Sequence, residues 1–192
     1  MARKEVHEVR RVATIGAGPI GGGWSAHFLA KGYDVTCYLH DPAEEAQFSR
    51  LIDTAWQCLS RIGLAEGAGL DRLRCTSDLE EAVRDAEFVQ ESVPEVLVIK
   101  QALYEKLGRL VPDDVVIASS TSGLSMTDIQ ADCPTPERTI VAHPFNPPYL
   151  LPLVEMVGGE KTDRAALEWA ADFYRLTGKA SGRGTWRGSA GS

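Results

Sequence analysis

The 192-residue sequence has little cysteine: Cys37, Cys58, Cys75 and Cys133, with no CxxC pair among them. So few thiols exclude a disulfide-built scaffold, and their scatter reads as free cysteines in a reducing cytoplasm. The four histidines (His7, His27, His40, His143) stand at no metal-ligand spacing to those cysteines, so no metal site is expected. No apolar run approaches the roughly 18 residues of a membrane span, which argues against a membrane partner. The opening MARKEVHEVRR carries charge with no apolar stretch behind it, so it does not read as a secretory leader. Positive charge is also in deficit, with 20 Lys and Arg against 27 Asp and Glu and a net charge of -7. That balance repels a phosphate backbone, and nucleic acid is not an expected partner. Internal repeats are missing too. What remains, 44% hydrophobic and 24% charged residues, suits one soluble domain with a sizeable core.

From Arg11 to Val157 short apolar runs alternate with segments of helical period. RVATIG (11–16), DVTCYL (34–39), LRCT (73–76), EFVQESV (87–93), DVVIASS (114–120), TIVAH (139–143) and LVEMV (153–157) read as strands. Between them, helices are predicted from Pro19, over 43–62, in DLEEAVRDA, over 95–110 beside Pro94, and over 163–176. Phe48, Leu51, Ile52, Ala55, Trp56, Leu59 and Ile62 would form the apolar face of the helix over 43–62. Ser77 with Glu80 reads as a capping box, and Thr162 as the cap of the last helix. Alternation of this kind predicts an α/β fold of Rossmann type: a doubly wound, mostly parallel sheet with helices on both faces. This domain is expected over residues 1–180. Residues 181–192, SGRGTWRGSAGS, are rich in Gly and Ser without apolar period and read as a disordered tail.

GAGPIG (16–21) fits G-x-G-x-x-G, directly after a buried strand and opening a helix. Gly16 would permit the tight turn, Gly18 the approach of a pyrophosphate, and Gly21 close packing of helix on strand. Pro19 and Ile20 complete the loop, whose helix N-terminus offers free N–H groups and a positive dipole end to phosphates. Asp41, twenty residues beyond Gly21, is the candidate for the adenosine-ribose hydroxyls. Its charge would disfavour a 2′-phosphate, so NAD is expected over NADP.

Three polar motifs follow predicted strands and so fall at the ligand-binding edge of such a sheet. They place Ser122 in SSTSGL (119–124), and His143 and Asn146 in VAHPFNP (141–147), with Glu155 in PLVEMV (152–157). Oxidising an alcohol needs a base for the hydroxyl proton, and histidine suits that near neutrality. A carboxylate on its other ring nitrogen fixes the tautomer, and Glu155, expected to be buried in an apolar strand, is the candidate partner. Ser122 and Asn146 could donate hydrogen bonds to the substrate oxygen or hold the nicotinamide.

At GAGPIG, ESVPE (91–95), SSTSG and HPFNP with LVE, the sequence resembles the 3-hydroxyacyl-CoA dehydrogenase family over roughly residues 10–180. The resemblance implies NAD as cofactor, His143 as base, Glu155 as its orienting acid, and Ser122 and Asn146 in contact with substrate or cofactor. It also sets Glu95 and Lys100 near the cofactor, where the residues alone read equally well as a solvated helix start with a charge pair. QESVPE, SSTSGL, ERTIVAHPFNPPYLLPLVEMVGG and Trp24 are most similar to the branch that oxidises L-carnitine. Members acting on L-gulonate, and lambda-crystallin, are similar around AHPFNPPYLLPLVE. The implied partner is a small 3-hydroxy acid or its CoA thioester, and the implied assembly a homodimer. A non-catalytic NAD-binding module is the alternative of another class. Two departures stand out. The family places its ribose acid where this chain has Leu39, and it continues into a helical domain where this sequence has its Gly/Ser-rich end. The expectation is therefore a chain that binds NAD and turns over substrate poorly by itself.

Overall fold

A computed structural model describes residues 3–183. In chain order the elements are β1 (Arg11–Ile15), α1 (Pro19–Ala30), β2 (Asp34–Tyr38), α2 (Glu45–Ile62), β3 (Leu73–Thr76), α3 (Leu79–Val83), β4 (Phe88–Glu91), α4 (Leu97–Leu110), β5 (Ile117–Ser119), α5 (Met126–Ile129), β6 (Thr139–Pro144), β7 (Leu153–Gly158), α6 (Arg164–Leu176) and β8 (Ala180–Arg183). The strands form one sheet in the order β3-β2-β1-β4-β5-β6-β7-β8. Neighbours run parallel except β6 and β7, which pair antiparallel with His143 opposite Glu155. This is the doubly wound, mostly parallel sheet the sequence predicts.

Strand residues alternate between two cores because successive side chains leave opposite faces of a pleated sheet. Val12, Phe88, Val116 and Ile140 join one core with α1, α2 and α6, built around Trp24, Phe28, Phe173 and Tyr174. Ala13, Val89, Ile117 and Val141 join the other with Tyr104, Leu107 and Ile129 of α4 and α5. Helix α1 is buried from Gly21 to Ala30, and a Cβ on Gly22 would lie 3.2 Å from Leu51 of α2.

The departures from expectation are local. On α2 the buried face is Phe48, Ile52, Ala55 and Leu59. Ile62 is exposed because Gly63 (φ 124°) turns the chain away there. The cap of α3 is Asp78, accepting from the backbone N–H of Glu80 and Glu81, rather than Ser77. The cap of α6 is Asp163 rather than Thr162. Thr162 instead accepts from Gly159 N–H and donates to the Thr139 carbonyl, tying α6 to β6. The final strand runs to Arg183, three residues into the segment expected as tail, because Ala180–Arg183 pair with β7. The rest of that tail lies outside the described residues.

Candidate functional site

The order of the strands reverses between β1 and β4, and ligands of open α/β sheets bind in the crevice at that point. Gly16 leaves β1 at φ 109°, a left-handed conformation that a side chain would strain. Its missing Cβ would meet the Ser92 carbonyl, beyond β4, at 2.7 Å, so the two strand ends approach as closely as backbone allows. A Cβ on Gly21 would sit 1.9 Å from the Gly16 carbonyl, so helix α1 can pack on its own entry loop only with glycine there. Gly18 differs: a Cβ there meets nothing within 4 Å. It is the N-cap of α1 with Pro19 behind it, and its backbone faces open space. Gly16, Gly18, Pro19 and Ile20 line a cavity of about 780 Å³, walled opposite by Val93, Val98, Ile99 and Leu103 and ended by Tyr38, His40, Glu44 and Lys106. Bare backbone, a helix N-terminus and apolar walls fit the diphosphate and adenine of a dinucleotide.

Asp41 does not line this cavity, contrary to expectation. Its carboxylate accepts from the Ala43 backbone N–H at 2.9 Å and caps a short 3-10 turn, Pro42–Glu44. Leu39, the other position considered for the acid, is buried. The carboxylate at the cavity is that of Glu44, whose Oε2 accepts from the backbone N–H of His40 and Asp41 at 2.9 and 3.4 Å.

A second cavity, about 420 Å³, adjoins the first and shares Ile20, Ser92 and Val93 with it. It brings together Glu95, Lys100, Ser122, His143 and Asn146, the strand-end residues singled out in the sequence, with Ser120 and Phe145. The His143 Nδ1 lies 3.1 Å from Glu155 Oε2. Glu155 is not buried as expected: its side chain is 56% exposed. Val154 and Met156 turn into the core, so strand alternation puts Glu155 on the open face beside the imidazole. An imidazole held on one nitrogen by a carboxylate and opening onto a cavity can take a proton from a bound hydroxyl.

Glu95 and Lys100 are not a solvated pair. Lys100 is buried, and its Nζ donates to Glu91 Oε1 at 2.6 Å and lies 3.7 Å from Glu95 Oε2. Glu91 also accepts from Ser119 Oγ at 2.6 Å and Val93 N–H at 2.7 Å. Glu95 accepts from Thr121 Oγ1 at 2.5 Å and from the backbone N–H groups of Ser122 and Gly123 at 2.9 and 3.0 Å. Partial burial raises the Glu95 carboxyl, but these hydrogen bonds and Lys100 outweigh it and hold it below the usual carboxylate range. The ionised Glu95 thus fixes the loop that carries Ser122. Sequence reasoning missed Glu91 and Ser120. An acid inside the buried run FVQE, with a lysine on the following helix, was the available signal for Glu91. Nothing separates Ser120 from its serine neighbours before the fold is known.

Fold and site together define a dinucleotide-binding domain of Rossmann type, with a glycine-loop cavity adjoining one that holds a histidine–carboxylate pair. The chain belongs to the family of the 3-hydroxyacyl-CoA dehydrogenase NAD binding domain, matching it over residues 11–181. It is 58% identical over 172 residues to an L-carnitine dehydrogenase of Streptomyces coelicolor, covering 90% of this chain and 54% of the relative. An L-carnitine dehydrogenase of Nocardiopsis dassonvillei is 52% identical over 179 residues, 93% of this chain and 54% of that one. Among solved structures, the 3-hydroxybutyryl-CoA dehydrogenase of Escherichia coli superposes with a TM-score of 0.83 at 30% identity, over 93% of this chain and 38% of that one. An NAD-dependent 5-formyl-3-hydroxy-2-methylpyridine 4-carboxylic acid 5-dehydrogenase superposes at 0.84 with 34% identity, over 92% and 58%. The chain spans about half the length of the curated relatives it matches.

Proposed function

We propose that this chain forms the nucleotide-binding and proton-transferring part of an NAD-dependent dehydrogenase that oxidises the 3-hydroxyl of L-carnitine to 3-dehydrocarnitine. The observation that carries the chemistry is the His143–Glu155 contact, 3.1 Å, at a cavity continuous with the glycine loop. The relatives named L-carnitine dehydrogenase support the substrate. His143, through the ring nitrogen that Glu155 leaves free, accepts the hydroxyl proton. Glu155 fixes the tautomer and stabilises the imidazolium that forms. Ser122 and Asn146, exposed at the same cavity, hold the substrate oxygen or the carboxamide of the cofactor. Gly16, Gly18, Pro19 and Ile20 seat the diphosphate, Gly21 holds the loop in shape, and Glu44 takes the place proposed for Asp41 at the adenosine end. Glu95 and Lys100 brace the wall between the two cavities. NAD, when bound, supplies the hydride acceptor.

The same reading puts the protein in the cytoplasm, a place supported by four free cysteines among the described residues. No helix among those residues is long and apolar enough to cross a membrane. The family resemblance supports a homodimer, checkable by sedimentation. The test of function follows NADH absorbance with L-carnitine, 3-hydroxybutyryl-CoA and L-gulonate. Carnitine should give the highest kcat/KM, with slow turnover by the 192-residue chain. His143→Ala should abolish turnover and keep NAD affinity within about twofold. Undiminished turnover in His143→Ala would remove the imidazole from its role. Preference for the CoA thioester would move the substrate to that of the E. coli neighbour.

A further inference from the structure

Ser92 stands where the two cavities meet and lines both. Its hydroxyl belongs to a chain of hydrogen bonds whose directions are fixed by counting hydrogens. Ser120 Oγ accepts from the Trp24 indole N–H at 3.2 Å and from the Gln90 side-chain amide at 3.0 Å. An indole nitrogen can only donate, and Trp24 is fully buried. The orientation of the Gln90 amide follows from Tyr174, also fully buried, whose phenol meets the Gln90 oxygen at 2.5 Å. With the amide turned the other way, the phenol hydrogen would lose that acceptor inside the core, at the cost of an unmade buried hydrogen bond. Both lone pairs of Ser120 are therefore taken, and its one hydrogen goes to Ser92 Oγ at 2.8 Å. The hydroxyl hydrogen of Ser92 is left over, at the junction of the nucleotide and catalytic cavities.

We infer that Ser92 is a positioning residue for the dinucleotide, donating its hydroxyl hydrogen to a hydroxyl oxygen of the ribose that joins the diphosphate to the nicotinamide. The glycine loop seats the diphosphate on one side of Ser92, and His143 opens on the other, so the group spanning them is that ribose. The backbone there is already fixed, because the Ser92 carbonyl abuts Gly16 and its N–H donates to the Ile15 carbonyl at 2.8 Å. The buried network fills one of the two lone pairs of Ser92 Oγ and leaves its hydrogen free, so the hydroxyl has a donor to offer before the ligand arrives. This inference rests on the proposed nucleotide site.

The test is calorimetric titration of the whole chain and of Ser92→Ala with NAD, ADP-ribose and ADP. NAD and ADP-ribose carry the second ribose, and ADP does not. The variant should bind NAD and ADP-ribose roughly five- to tenfold more weakly, the effect of one hydrogen bond, and ADP within about twofold of the parent. Ser120, deprived of its acceptor, lines the catalytic cavity and not the glycine-loop cavity. Trp24 emission reports whether the network has kept its shape, since its indole is bonded to Ser120. Equal weakening of all three ligands, or of none, would overturn the role of Ser92. Failure of the unaltered chain to bind any of them would overturn the nucleotide site itself, a result distinct from either.

Discussion

Glu44 and Asp41 sit in one short turn with the same charge, and their hydrogen bonds assign them different work. Asp41 spends its carboxylate on the Ala43 N–H, while Glu44 reaches the cavity with Oε2 held by two backbone N–H groups. In the proposed nucleotide site, the negative charge of Glu44 would oppose an added phosphate on the adenosine ribose. Glu44→Gln keeps an acceptor for His40 and Asp41 and removes the charge, so calorimetry should show the NADP-to-NAD affinity ratio rising about five- to tenfold at low salt and less at high salt. Asp41→Asn should leave that ratio unchanged. The reverse pattern would return the role to Asp41. A second residue-scale prediction concerns Lys100 and Glu91, fully buried against each other. Lys100→Met leaves the Glu91 carboxylate in the core without its cation, a situation that typically costs about 3–5 kcal/mol. Urea unfolding of Lys100→Met should show a loss of that order, and adding Glu91→Gln should recover most of it. A single variant as stable as the parent would mean that the pair carries little of the fold.

At the scale of elements, the β1–α1 junction separates what glycine does for the fold from what it does for the ligand. Gly21→Ala must push its Cβ into the Gly16 carbonyl, 1.9 Å away. Its thermal and urea stability should fall by roughly 3 kcal/mol or more, at or beyond the upper range for overpacking. Gly18→Ala places its methyl group in open space, so stability should change by no more than about 1 kcal/mol. Dinucleotide affinity should nonetheless drop at least tenfold, because the methyl group occupies the approach to the helix N-terminus. If Gly18→Ala bound NAD normally, the diphosphate would lie elsewhere. This junction was legible in the sequence because three glycines, a preceding apolar strand and Pro19 all point to one geometry. His143, Asn146 and Ser122 were legible for a similar reason: each follows an apolar run, and strand ends converge in a parallel sheet. What stayed hidden depends on choices between near neighbours. Asp78 rather than Ser77, and Asp163 rather than Thr162, cap their helices, since adjacent residues of equal capping ability differ only in the register of the turn. The exposure of Glu155 likewise follows from β7 alternating under α6, which an apolar run in the sequence does not reveal. Helix α5, four residues long, and β8 are too short to show a period.

Across the whole molecule, the chain returns near the C-terminal end of its described part to Trp24 of the larger core. Lys179, the residue before β8, is buried under the loop between β6 and β7, with its Nζ donating to the carbonyls of Pro148 and Leu151 and lying 5.4 Å from the centre of the Trp24 ring. Burial, with Lys31 adding repulsion, pulls its ammonium down from 10.5 to about 8. In the unfolded chain the same group holds its proton until about pH 10.5, so between these values the unfolded state binds more protons, and stability rises with pH. Opposing groups titrate across the same range. Burial pushes the Cys37 and Cys75 thiols from 9.0 up to about 12 and about 11 and raises that of Cys133 as well, so the folded state keeps protons that the unfolded state sheds around pH 9. His27, held well below its ordinary 6.5 by burial and the two lysines, has already contributed its full stabilisation by neutral pH. Lys179 is therefore read from the difference between the parent and Lys179→Met: between pH 8 and 9 the unfolding constant of the parent relative to that of the variant, from urea titration, should fall as pH rises, with a limiting slope of about tenfold per pH unit for one proton. The decline that the thiols impose around pH 9 should be present in both. Stabilities of parent and variant that change in parallel from pH 8 to 9 would mean that the ammonium keeps its ordinary affinity for its proton beneath the loop.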